Sequence, residues 1–110
     1  MKEIVVGRDF SDAPAGRYLT DGPFSGQAFR ENCLIPALQA GDVVSVDLSG
    51  TFGYGSSFLE EAFGGLVRSG LFDKEELDAK LKIVARDMRK HCYVERVKAY
   101  MEAAWKEMKE

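Results

Sequence analysis

The chain has 110 residues, 45% of them apolar and 30% charged, with a formal net charge of −3. That length suits a single domain, residues 1–110, with its own core, and the mixed charges are those of a folded globular protein, which excludes disorder. No basic stripe is present to displace counterions from phosphates, so nucleic acid is not expected as a partner.

Glu3 to Gly7 reads as a first strand and Arg17 to Thr20 as a second, joined as an irregular hairpin across the turn-forming stretch Ser11 to Gly16. The apolar run Ile4 to Val6 is followed closely by Arg8 and Asp9. It is too short for a signal segment or a membrane span, so a cytoplasmic chain with no membrane contact is expected. Ser25 stands where it would cap a helix reaching Gln39. Pro36 removes one hydrogen bond from that helix, at a cost of about 3 kcal/mol if undistorted, so a kink or break is predicted near Asn32 to Pro36. Cys33 within this helix and Cys92 near the start of another read as small buried apolar residues and not as a disulfide.

Ala40-Gly41-Asp42 leads into the stretch that organises the chain, Val43 to Arg68. Val43 to Leu48 reads as a buried strand with Asp47 near its exit. Gly50, Gly53 and Gly55 form a permissive loop, and Ser56 or Ser57 is expected to cap the next helix. In that helix Phe58, Leu59, Ala62, Phe63, Leu66 and Val67 form one apolar stripe, with Glu60 and Glu61 toward the surface. Gly64-Gly65 within it costs about 1 kcal/mol per residue against alanine, so the helix either ends early or, the preferred reading, packs closely on the sheet there. Gly70 ends the segment, and Asp73 can cap a short helix carrying Glu75, Glu76, Leu77 and Lys80. Leu81 to Ala85 reads as another strand. From about Tyr93, Val94, Val97, Met101, Ala104, Trp105 and Met108 share one face of an amphipathic helix. The expected fold is α/β, a single-layer mixed sheet of about four strands packed with helices.

The strand, loop and helix around Ser56 place a loop at the carboxyl edge of the sheet, where α/β proteins bind and react. The loop fails the specific motif tests. A nucleotide-binding P-loop needs a lysine and none lies between Ser49 and Gly70; a dinucleotide fingerprint from Gly53 and Gly55 meets Phe58; a hydrolase elbow through Ser57 meets Leu59. His91 is the sole histidine. No spacing joins it to Ser57 and Asp47 as a triad, or to Cys33 and Cys92 as a metal site, so no catalytic residue, metal or cofactor is assigned. Asp47 is an acceptor for loop amides or a ligand contact. Phe52 and Tyr54 either fold over the sheet edge or form an apolar contact patch for a protein.

The blocks Gly16-Arg17-Tyr18, Ser25 to Leu38 (SGQAFRENCLIPAL) and Ser56 to Gly64 (SSFLEEAFG) resemble the STAS-like domain family of uncharacterised bacterial proteins. More distantly the chain is similar to the STAS domains of bacterial anti-sigma factor antagonists. In those antagonists an Asp-Ser-Ser-Gly motif follows a strand, and its first serine is phosphorylated by a histidine-kinase-like ATPase. The resemblance lays Gly55-Ser56-Ser57-Phe58 over that motif, with Ser56 over the phospho-acceptor, Gly55 in place of the acidic residue and Phe58 in place of the glycine.

The resemblance implies a non-enzymatic regulatory module. Ser56 and Ser57 would be its switch, Thr51, Phe52, Gly53, Tyr54 and Gly55 its partner-binding loop, and a regulatory protein such as a histidine-kinase-like ATPase its partner. The alternatives are a sensor of a small anion or nucleotide using the glycine-rich loop, with Asp47 as a ligand contact, and a structural homodimer burying Trp105.

Overall fold

The computed structural model describes residues 1–109. Three short β-favouring stretches form strands: β1 (Lys2–Val5), β2 (Val44–Asp47) and β3 (Leu81–Val84). They lie in the order β1-β2-β3, and both pairings are parallel. Among the described residues the sheet is therefore three-stranded and parallel, not a mixed sheet of about four strands.

The missing strand is Arg17 to Thr20. Here the Asp21 carboxylate accepts the amides of Arg17 (3.1 Å) and Tyr18 (2.8 Å), and Gln27 Oε1 accepts the amide of Leu19 (3.0 Å). These local bonds offer the backbone an alternative to a ladder and curl it into a 3₁₀ turn, Leu19–Asp21. The first strand also ends early, because Val6–Asp9 coil into a single turn, α1. No hairpin forms, and β1 pairs instead with β2.

The remaining helices follow the expected order. The helix α2 spans 26–39, and Ser25 Oγ caps it by accepting the Ala28 amide at 3.1 Å. Ahead of Pro36 it loosens into a π turn, Arg30–Leu34, where a distortion was expected. The helix α3 spans 56–68 and has a π turn of its own, Glu60–Gly64. Asp73 caps α4 (Lys74–Lys80) with a capping box to Glu76, and α5 (His91–Lys109) closes the fold.

Register decides what each face of the sheet sees. Ile4 lies beside Val46 and Ile83, and Val44 beside Leu81, all on one face. Right-handed crossovers in a sheet of order β1-β2-β3 carry α2 and α3 to that same face, and α5 joins them by packing on the middle of α3. The apolar stripe of α3 is fully buried there, together with Phe29, Leu34 and Val97. Burying each such side chain stabilises the fold by about 1.5–3 kcal/mol, so this face holds the core. The other face carries Glu3, Ser45, Asp47, Lys82 and Val84. Arg86 crosses it, pairing with Glu3 and reaching Asp47 Oδ2 at 3.4 Å.

Candidate functional site

Parallel strands deliver every strand-to-helix connection to one edge, so the loops after β1, β2 and β3 meet there. Hydrogen bonds stitch them together. Gly7 donates to the Ser49 carbonyl at 3.1 Å, Phe52 to the Asp12 carbonyl at 2.8 Å, and the Asp87 amide to Ser49 Oγ at 2.8 Å. Gly7 and Gly50 approach so closely that a Cβ on Gly7 would land on the Gly50 backbone, and Gly50 itself needs φ +84°.

Asp47 holds the root of this junction. It is 1% exposed, and its Oδ1 accepts the amides of Ser49 (3.0 Å) and Arg86 (3.2 Å). Burial alone would raise its pKa, but the bonds from Ser49 and Arg86 outweigh this and hold the carboxyl below the usual range. It is a loop-amide acceptor.

The loop itself divides. Tyr54 is buried, donates its hydroxyl to the Leu48 carbonyl at 2.7 Å, and packs on Phe58 and Tyr93 with ring centroids 5.8 and 5.0 Å away. Burial pushes its phenol well above the ordinary value. Thr51 is also buried, and its hydroxyl has no hydrogen-bond partner among the described residues. These two side chains belong to the interior and not to a contact surface. Phe52, by contrast, is 84% exposed.

The two serines do not cap. Gly55, extended at φ −79° and ψ 152°, occupies the N-cap position of α3, so Ser56 and Ser57 fall one residue late and enter the first turn. Both are exposed, and neither hydroxyl makes a hydrogen bond among the described residues. The first-turn amides of α3 likewise have no side-chain cap.

A set of charges not singled out in the sequence lies on the next turn. Glu61 is 8% exposed and not on the surface. It meets Arg30 Nη1 at 2.7 Å and Arg17 Nη1 at 3.3 Å. Glu60 takes Arg17 at 2.7 Å and a two-pronged bond from Arg68 at 2.6 and 2.9 Å. The bonds from Arg68, and then from Arg17, hold the Glu60 carboxyl below its ordinary range against the opposing effect of burial. The network ties the loop before α2, α2 itself and α3 into one body.

The same network explains Gly64 and Gly65. A Cβ at Gly65 would strike the Arg30 guanidinium, and one at Gly64 would strike Glu60 and Arg68. The glycines make room for ion pairs, not for the sheet. Close backbone packing occurs instead at Gly26, whose Cβ position lies 2.5 Å from the Phe58 carbonyl oxygen and 3.0 Å from the Ala62 amide nitrogen. A pair of small residues facing two arginines, Arg30 and Arg68, was the available signal for this network, but it becomes legible only once α2 and α3 are placed together.

His91 Nε2 lies 2.8 Å from the Ala85 carbonyl oxygen, far from any triad role. Cys33 is half-buried, its thiol pKa pushed up by burial, while Cys92 is exposed; both are free. Among the described residues no cluster of three or more His, Cys, Asp or Glu could hold a metal, and no helix is long and apolar enough to cross a membrane. Two grooves lie at the outer edges of the sheet, and neither is lined by the Gly50 to Ser57 loop.

Residues 25–87, more than half of the chain, fit the family model described as a STAS-like domain of unknown function (DUF4325). No curated protein and no solved structure matches the chain.

Proposed function

We propose, because the chain belongs to this family of STAS-like domains, that it is a non-enzymatic regulatory module that binds another protein at the carboxyl edge of its sheet. The observation that carries this reading is the freedom of Ser56 and Ser57. Two hydroxyls on the first turn of a helix, exposed and relieved of capping, have no structural task in this fold. Phosphate on either would add about two negative charges beside the amide end of α3, where the helix dipole favours them, and would change what a partner meets. Phe52, exposed beside them on a loop pinned at Asp12 and Asp47, supplies the apolar contact.

The partner of this reading is a histidine-kinase-like ATPase or a factor controlled by one. With Gly55 before the serines, the chain offers no carboxylate at that position, so the partner supplies the base for phosphoryl transfer. The test is capture from source-cell lysate with wild-type, Ser56→Ala/Ser57→Ala and Phe52→Ala baits, with mass spectrometry of captured proteins and baits. The expected result is an ATPase-type partner lost on Phe52→Ala, together with phosphate on Ser56 or Ser57 of the wild-type bait. Identical captures from all three baits, with unmodified serines, would overturn it.

The uncapped amides of α3 favour a second reading, a small-anion sensor. Phosphate or nucleotide that raises the melting temperature of the wild type, but not of a Ser57→Ala variant, would support that reading.

A further inference from the structure

The two edges of the sheet differ in what they leave open. In a parallel ladder successive residues turn their N–H and C=O groups alternately to one neighbour and the other. The bond from the Leu48 amide to the Val84 carbonyl, 2.9 Å, sets the phase for β3. Lys82 and Val84 face β2, so Leu81, Ile83 and Ala85 face outward. The Leu81 amide is used by the Leu77 carbonyl, and the Ala85 carbonyl by His91. Among the described residues the Leu81 carbonyl, both groups of Ile83 and the Ala85 amide have no hydrogen-bond partner, a row of donors and acceptors at strand spacing, with Leu81 and Ala85 buried beneath it and Ile83 half-buried. On β1 the same alternation turns Glu3 and Val5 outward, but there Asp9 Oδ2 takes the Val5 amide at 2.8 Å and Arg8 lies against Asp9. That edge is blunted by charge in the way natural sheets protect themselves.

Beside the open edge runs a groove of about 400 Å³ between β3, α4 and α5. Leu81, Ile83, Met101 and Trp105 make it apolar. Its rim carries Lys74, Lys82 and Lys98 against Asp78 and Glu102. Lys74 sits between both carboxylates, 3.6 Å from Asp78 and 3.7 Å from Glu102. Lys82 and Lys98 have no carboxylate partner among the described residues, so on a chain of net charge −3 this groove is a positive place.

We propose that the outer edge of β3 receives a fourth strand from a partner protein, an extended segment that alternates apolar and acidic residues. Its backbone pairs with Ile83 and Ala85, its apolar side chains lie against Trp105 and Met101 on the helix-covered face, and its carboxylates, turned to the other face, meet Lys82. Charge decides between occupants. A second copy adding by its own β3 would bring another Lys82 and Lys98 to a groove whose lysine charge is already unneutralised, Lys82 donating only to the Asp78 carbonyl, whereas an acidic segment neutralises it. The edge shares no residue with the Thr51 to Ser57 surface, so the two proposals succeed or fail separately.

The test uses the intact chain and a capped hexapeptide of alternating valine and glutamate. Trp105, the sole tryptophan, reports binding by fluorescence, and backbone amide exchange reports where the peptide lies. Saturable binding with protection of the Ile83 and Ala85 amides is expected, weakened about ten-fold or more by Lys82→Glu. Ile83→Pro should abolish binding, because it removes an outward N–H that no strand in the sheet uses; if that variant does not fold, the surface variant Lys82→Glu decides alone. Equal binding of the valine-lysine counterpart, or no binding of the acidic peptide, would overturn the proposal. Protection of the same amides without peptide, with a doubled mass in sedimentation, would assign the edge to a second copy and overturn it too.

Discussion

At the scale of single residues, three serines at two helix starts illustrate how one position changes a role. Ser25 sits at the N-cap of α2 and satisfies the Ala28 amide, whereas Ser56 and Ser57 stand inside α3 behind Gly55. Ser25→Ala should therefore cost about 1 kcal/mol in urea denaturation. Ser56→Ala and Ser57→Ala should each stay within about 0.5 kcal/mol of wild type, which makes them clean probes of binding. Asp47 carries the opposite expectation. Asp47→Asn turns an amide group toward donors that need an acceptor and should cost about 1–3 kcal/mol. The carboxyl is held below its unfolded value, so its contribution is complete above the unfolded pKa of about 3.9 and is lost as pH falls through the lower folded value. In acid titration followed by circular dichroism, the gap between wild type and variant should close below about pH 4, not above it.

At the scale of elements, α2 and α3 are bound by ions as well as by apolar contact. Arg30→Met removes the closest cation from Glu61 and the donor to its carbonyl, but leaves Arg17 at 3.3 Å and Arg68 at 3.8 Å, so it should cost about 1–3 kcal/mol in denaturant melts and not the full penalty of a stranded buried charge. Arg30→Met/Glu61→Leu should cost less than the sum of the single changes, a coupling that a double-mutant cycle measures directly. Gly65→Ala gains about 1 kcal/mol of helix propensity yet should still destabilise, because its methyl enters the space of the Arg30 guanidinium. Sequence patterns made much of this legible. The stripe of α3, the caps at Ser25 and Asp73, the distortion ahead of Pro36 and the strands around Val46 and Ile83 are local or periodic, and they appear where periodicity places them. Arg17 to Thr20 departs from the strand its β-favouring side chains predict because its amides donate to the Asp21 and Gln27 side chains instead, a competition invisible to propensity. At the site, one of Ser56 and Ser57 is expected from the sequence to cap α3, but Gly55 takes that position and leaves both serines exposed, while Phe52, which the pattern leaves open to either side, lies on the surface. Tyr54 and Thr51 proved internal, since which loop side chain folds inward depends on where Tyr93 of α5 arrives.

At the scale of the whole molecule, the sheet is covered by helices on one face and by a belt of Glu3, Arg86 and Lys82 on the other. The central strand is flanked on both sides, while β1 and β3 each have an outer edge. Native-state hydrogen exchange should accordingly show Val44 and Val46 opening only with global unfolding, and the outer amide of Ile83 exchanging sooner by local opening. A faster exchange in β2 than in β3 would contradict this arrangement. The strand order also repeats the order of synthesis. When residue 68 has left the ribosome, β1 and β2 can pair and α2 and α3 can bring Phe29, Phe58 and Phe63 together, β3 then adds to an edge already built, and α5 closes over α3 last. The nascent chain can lay down its sheet from one side to the other, with no later strand inserted between two earlier ones.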